Sequence, residues 1–255
     1  MEGLLGPMKR VIAILGLTIG LIPTSAASGR GGEAWTYSGP YGPQNWGLIS
    51  EDFARCKTGE QQSPIDLRDP VETNLADFEV DWNPADWKVY NTGRGLRVQS
   101  DDGGRLNFGG TTYRLLQFHF HTPAEHTING KAAPMEGHFV HVSDDNKIAI
   151  VAVMMTGGGR YPPFERVMAR VPEQSNDPLA LTDFDPTRLL PEASPRMHYE
   201  GSLTTPPCSE TVSWIVLTEP LTVSDAAITT FGILFGNNAR PVQPLNRRFI
   251  LSSGP

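Results

Sequence analysis

Basic residues are too few to dominate this chain. Lys and Arg number 21 against 28 Asp and Glu in 255 residues, a formal net charge of −7. No basic patch stands out, so the electrostatic footprint of a nucleic-acid-binding protein is absent. Cysteine is scarcer: Cys56 and Cys208 are the only two. The longest apolar run, Val11 to Ile22, is twelve residues interrupted only by Gly16, Thr18 and Gly20. That falls short of the roughly 20 residues of a transmembrane helix. Long amphipathic helical patterns are scarce too, and there is no internal repeat or low-complexity segment. Glycine and proline are plentiful, 26 and 22 residues, so turns should abound. A chain of this length can form one sizeable core without a second domain. The expectation is a mainly β single domain with many loops.

The apolar run has another use. Lys9-Arg10 precede it and Pro23-Thr24-Ser25-Ala26-Ala27 follow it. A basic start, a short apolar stretch and small residues describe a secretory signal peptide over 1–27. A retained anchor is the competing reading, and Met8 is an alternative start. No cysteine sits at the cleavage point, so lipid attachment is not indicated. Residues 28–34 read as a flexible leader, and the domain occupies 35–255. Export implies a periplasmic or secreted protein with no membrane span in the mature chain. There, Cys56 and Cys208 read as a disulfide, with two buried free thiols as the alternative.

The chemistry concentrates in Gln117-Phe118-His119-Phe120-His121. Alternation with a period of two predicts a strand over 112–120 and beyond, with Gln117, His119 and His121 on one face and the phenylalanines on the other. Two imidazoles so spaced stand about 6–7 Å apart at the backbone, close enough to converge on one ion. Met135-Glu136-Gly137-His138-Phe139-Val140-His141 reads as the partner strand, after a connection carrying Pro123, Asn129-Gly130 and Pro134. It can bring His138 opposite the first pair. Three imidazoles leave a fourth tetrahedral position open on Zn²⁺, the arrangement of a catalytic site. Gln117 and Glu136 share the parity of the histidines and suit the role of holding their outer nitrogens. Further strands are expected around 80–87, 87–91, 96–99, 105–108, 147–155 and 212–217, and helices over 162–171 and 223–234.

Gly201-Ser202-Leu203-Thr204-Thr205-Pro206-Pro207-Cys208 completes a pattern. With the two histidine segments, Trp35-x-Tyr37, the run at 42–46, Gln62 to Asp66, Glu125-His126, Trp214 and the run at 238–245, it closely resembles the α-class carbonic anhydrases. The resemblance spans nearly the whole mature chain. It implies a large, twisted, mostly antiparallel sheet with short peripheral helices. It also implies a zinc enzyme that hydrates carbon dioxide to bicarbonate, with slow ester hydrolysis as a side activity. His119, His121 and His138 match the zinc ligands, and Gln117 and Glu136 match their partners. Thr204 and Glu125 match the pair that orients the attacking hydroxide. Thr205 matches a residue that contacts substrate and product. Val140, Ile150, Leu203, Val212 and Trp214 match the apolar wall for carbon dioxide. Tyr37 matches a tyrosine on the cavity's water network, and Cys56 and Cys208 match the disulfide of exported members. His126 and His141 match buried, hydrogen-bonded structural histidines, and His198 is left without a functional assignment.

One position departs from the family. Asn91-Thr92-Gly93-Arg94 places arginine where many members carry a proton-shuttling histidine. Arginine keeps its proton at neutral pH and cannot relay one. Turnover limited by external buffer is therefore expected. Two other classes compete with this reading. One is a catalytically silent binding module on the same fold, and the other an exported zinc hydrolase with a different main substrate. Oligomeric state is left open, with a homodimer as one option.

Overall fold

A computed structural model describes residues 35–173 and 177–253. The expected signal peptide and leader lie outside the described residues. Fifteen strands are present among the described residues, in the order β1 (Asp66–Leu67), β2 (Val71–Glu72), β3 (Phe78–Asp81), β4 (Ala85–Asn91) and β5 (Leu96–Gln99). Then follow β6 (Arg105–Phe108), β7 (Thr111–His121), β8 (Thr127–Ile128), β9 (Lys131–Ala132) and β10 (Met135–Ser143). The last are β11 (Ile148–Thr156), β12 (Leu179–Phe184), β13 (Arg196–Gly201), β14 (Val212–Thr222) and β15 (Leu251–Ser252). Four short helices accompany them: α1 (Trp46–Ile49), α2 (Arg55–Thr58), α3 (Pro162–Met168) and α4 (Asp225–Phe235).

Twelve strands form one sheet whose main path runs β12-β4-β5-β7-β10-β11-β14-β13-β15-β2. Most neighbours are antiparallel, while β11–β14 and β15–β2 are parallel, so the sheet is mixed. The alternation on β7 sorts the interior into two layers. Phe118, Phe120, Phe139, Val151, Val153 and Ile215 face one core, which α3 and α4 close with Phe164 and Phe231. Ile150, Ala152, Met154, Tyr199, Val212 and Trp214 form a second core on the opposite face. The histidine triad belongs to that second face. β11 is buried on both sides from Ala149 to Met155, which explains its unbroken apolar run.

Local chemistry sets the ends of the helices. Ser224 caps α4 by accepting from the Ala227 N–H, and Gly236 at φ 67° ends it. Pro162 and Pro163 open α3, where missing N–H groups cost nothing. That helix stops at Met168, three residues before the expected end. The expected strand over 80–87 is divided, with β3 ending at Asp81 and β4 starting at Ala85. Pro84 in the gap has no N–H to offer a ladder. β12 and β13 had no alternating signature in the sequence. The connection from β7 to β10 folds back as the β8–β9 hairpin around Asn129-Gly130, both at positive φ as a two-residue turn requires. Asp66 ties this hairpin down by accepting from the Thr127 hydroxyl at 2.6 Å and the Gly130 N–H at 2.8 Å.

Candidate metal centre and cavity

β7 and β10 pair with His138 directly opposite His119 and Glu136 opposite His121. This register brings one nitrogen from each of His119, His121 and His138 within 4.8 Å of the others. The remaining nitrogen of each ring is held. His119 Nδ1 donates to Gln117 Oε1 at 2.9 Å, and His138 Nε2 donates to Glu136 Oε1 at 2.8 Å. His121 Nδ1 donates to the backbone carbonyl of Asn238 at 2.8 Å. These bonds fix the tautomers and leave His119 Nε2, His121 Nε2 and His138 Nδ1 facing a common point. His121 Nε2 is buried without a hydrogen-bond partner. Burial lowers the pKa of all three rings, and for His119 the neighbouring His121, His138 and Arg97 lower it further. The site therefore favours neutral imidazoles, the form that ligates a metal.

Glu136 does more than hold one ring. Its Oε2 accepts the N–H groups of Glu125 and His126 at 2.8 Å each, and its Oε1 accepts from His126 Nδ1 at 2.6 Å as well as from His138. Burial would push this carboxyl up, but His126 and His138 overcome that and hold it well below the usual range. His126, Glu136 and His138 also lie close enough to suggest a second metal group. Their facing atoms are already bonded to one another, so the group is a hydrogen-bond network. It continues from His126 Nε2 to the Tyr199 hydroxyl at 2.6 Å, and from there to Ser63 Oγ at 2.9 Å. Ser63 Oγ in turn accepts the N–H of Ser202 at 3.0 Å, at the start of the 202–208 loop.

The chain matches the family model described as eukaryotic-type carbonic anhydrase over residues 41–254. A carbonic anhydrase from Nostoc sp. is 35% identical over 249 residues, covering 95% of this chain and 94% of that protein. The α-carbonic anhydrase of Thermovibrio ammonificans, solved with the inhibitor sulfanilamide, superposes with a TM-score of 0.84 at 42% identity, covering 87% of this chain and 100% of that one. The chain belongs to the α-carbonic anhydrase family. A dioscorin solved with ascorbate shares the architecture as well, with a TM-score of 0.78 at 30% identity over 86% of this chain and 97% of that one.

In this carbonic anhydrase the other sequence-derived residues gather around the triad. Glu125 is buried beside it, with Oε1 accepting the Arg240 N–H at 2.8 Å. Its Oε2 lies 3.5 Å from His121 Nε2 and 3.9 Å from His138 Nδ1. Burial pushes the Glu125 carboxyl up to about 7, against His138, the Arg240 N–H and the Thr204 hydroxyl. Val140, Ile150, Leu203, Val212 and Trp214 pack in one cluster on the same sheet face. Thr205, Tyr37 and Arg94 line a cavity of about 240 Å³ together with His119 and His121. Burial and Glu125 raise the Tyr37 pKa, while Arg94 draws it back. The Arg94 guanidinium lies 4.1 Å from the Trp35 ring centroid, its Nη1 3.5 Å from the Trp35 carbonyl.

Cys56 and Cys208 form a disulfide, which decides between the two readings of that pair. It anchors the end of the 202–208 loop to α2. The three extra histidines are held by hydrogen bonds outside the triad. His126 belongs to the network above. His141 lies on the opposite face, accepting from Trp82 Nε1 at 3.0 Å and donating to the Ala149 carbonyl at 3.2 Å. His198 donates to the Trp214 carbonyl at 2.9 Å.

Sequence reasoning missed the 238–240 segment as part of the site. Asn238 supplies the carbonyl that holds His121, and its amide bridges the Arg94 and Phe120 carbonyls at 3.1 and 3.0 Å. Arg240 holds Glu125 through its N–H and reaches the Ser63 and Cys56 carbonyls at 2.8 and 3.1 Å with its guanidinium. A backbone carbonyl leaves no mark on residue type, so only the run at 238–245 hinted that something was there.

Proposed function

We propose that the chain is an exported zinc enzyme that interconverts carbon dioxide and bicarbonate, with slow hydrolysis of activated esters as a side activity. The observation that carries this reading is the convergence of three free imidazole nitrogens whose opposite nitrogens are all held. Three neutral nitrogen donors, one of them buried and unpartnered, fit Zn²⁺. When bound, zinc supplies a Lewis acid and a nucleophile drawn from water near neutral pH.

The chain's own residues do the rest. His119, His121 and His138 hold the metal, and Gln117, Glu136 and the Asn238 carbonyl keep their rings from turning. Thr204 donates its one proton to Glu125, so its lone pairs face the nucleophile and set which way that nucleophile's own proton points. Val140, Ile150, Leu203, Val212 and Trp214 hold the uncharged gas by dispersion and exclude water from it. Thr205 contacts substrate and product, and Tyr37 orders the cavity's water. Residues 1–27 are a signal peptide, 28–34 a leader and 35–255 the catalytic domain. The disulfide agrees with a periplasmic or extracellular location. No helix among the described residues is long and apolar enough to cross a membrane.

The fold shared with a dioscorin solved with ascorbate keeps a second reading in view, a binding module without catalysis. The complete triad with Thr204 and Glu125 favours the enzyme. The test is stopped-flow carbon dioxide hydration by the mature chain with zinc quantified and a chelator arm. Fast turnover lost to the chelator and restored by zinc supports the enzyme. One zinc per chain without hydration sinks it in favour of the binding module or another hydrolytic substrate.

A further inference from the structure

The cavity wall beside the triad is cationic in a chain whose net charge is −7. Arg94 and Arg97 both line it, and among the described residues no aspartate or glutamate does. The two arginines are differently engaged. Arg94 lies over the Trp35 ring. Arg97 stands on β5 directly opposite His119 on β7, so it shares the face of the triad. Its Nε is buried and has no hydrogen-bond partner. Its guanidinium lies 5.1 Å from the ring centroid of Tyr90, its register partner on β4. Among the described residues no carboxylate pairs with it.

A partly buried guanidinium without an acceptor is a costly arrangement unless an anion completes it. A second donor is close. Gln117 Oε1 is taken by His119, which leaves the Gln117 amide N–H groups for another acceptor. Gln117 is the diagonal neighbour of Arg97 across the β5–β7 ladder, within reach of long side chains. Sheet order separates this wall from the apolar one. β5 lies on one side of β7, and β10, β11 and β14 lie on the other. The cavity thus offers apolar surface on one side of the triad and unpaired N–H donors on the other.

We propose that Arg97, with the Gln117 amide and Arg94 beside it, is a binding station for a planar monovalent oxyanion next to the metal position and not on it. The planar fork of arginine matches two oxygens of one carboxylate-like group. Naming bicarbonate as the natural occupant rests on the proposed function, whereas the anion site itself does not. The station would collect bicarbonate at the cavity, opposite the wall that takes the neutral gas.

The test is titration of carbon-13 formate into the mature chain at pH 8, followed by NMR and calorimetry, in zinc-loaded and chelator-stripped protein. Circular dichroism reports that each form is folded. A formate site that persists after zinc removal is expected, since the station does not need the metal. Arg97→Gln should weaken it about tenfold or more in both forms, the cost of losing a charge-assisted bidentate contact, with zinc content unchanged. Arg97→Lys should keep part of the affinity, because it retains the charge and loses the fork. No formate binding by the stripped wild type, or equal affinity in wild type and both variants, would overturn the station. A formate site that depends on Arg97 in a protein that does not hydrate carbon dioxide would uphold the station and reject the enzyme reading.

Discussion

Glu136 shows how much one buried carboxylate can organise. Its two oxygens accept from the N–H groups of Glu125 and His126 and from the rings of His126 and His138. An amide there can accept on one side only, and its NH₂ would face two donors. Glu136→Gln should therefore cost about 3 kcal/mol or more of stability, by unsatisfied buried donors. It should also weaken zinc binding about 10–100-fold, as loss of a ligand-orienting partner does. Urea unfolding and competition with a zinc chelator measure the two effects. Arg94 makes the opposite kind of prediction, a gain. Among the described residues, no histidine lines the cavity beyond the triad residues His119 and His121. Wild-type turnover should rise with buffer concentration, and Arg94→His should raise it at low buffer. Stopped-flow rates that ignore buffer in the wild type, with no gain in the variant, would reject an absent internal relay.

At the scale of elements, the site is a join between one strand pair and two loops. β7 and β10 supply all three imidazoles, and their register alone brings them together. The loop from Ser202 to Cys208 supplies Thr204 and Thr205, and the segment at 238–240 locks His121 and Glu125. The first loop is held at both ends. Gly201 lies where a Cβ would meet Ser63 Oγ at 2.2 Å, so only glycine lets β13 pass the Ser63 network. Cys208 closes the other end against α2. Cys208→Ser should lower stability by about 2–4 kcal/mol, the usual effect of losing a native disulfide. Activity should survive at low temperature, because the Leu203 N–H to Ser209 carbonyl and Cys208 N–H to Thr205 carbonyl bonds remain. Denaturation midpoints and low-temperature rates separate those two outcomes. A rate lost as completely as in a triad variant would show that the disulfide positions Thr204 directly.

Across the whole molecule, histidine burial links stability to acid. Burial pulls the His141 ring down to about 3, against hydrogen bonds to the Ala149 and Phe139 backbone. The unfolded chain takes up that proton below about 6.5, while the folded chain resists until about 3. Stability from this group is complete above pH 6.5 and lost as pH falls toward 3, at up to about 1.4 kcal/mol per pH unit. The lowered triad rings act in the same direction in metal-free protein. Urea midpoints of metal-free protein between pH 7 and 4 test this. His141→Gln can keep both bonds, to Trp82 and Ala149, and should flatten the slope. An unchanged slope in the variant would show that His141 is not a source of the acid sensitivity.

The strand identities of β7, β10 and β11, the triad, and the roles suited to Gln117 and Glu136 were legible from residue type and spacing, whereas the apolar wall came only from the likeness to a family. Period-two alternation dictates which side chains share a face, whatever the rest of the chain does. The run at 201–208 added Thr204 and Thr205 through its likeness to a family. Local pattern cannot say which distant backbone groups arrive at a site. The Asn238 carbonyl on His121, the Arg240 N–H on Glu125 and the parallel pairing of β11 with β14 are contacts between segments tens to more than a hundred residues apart. They arise from chain crossing, and carbonyls and amides are the same in every residue. Arg97 belongs to the same class. Its charge is written in the sequence, but only the register beside His119 and the absence of a paired carboxylate among the described residues make it an open cation in the cavity.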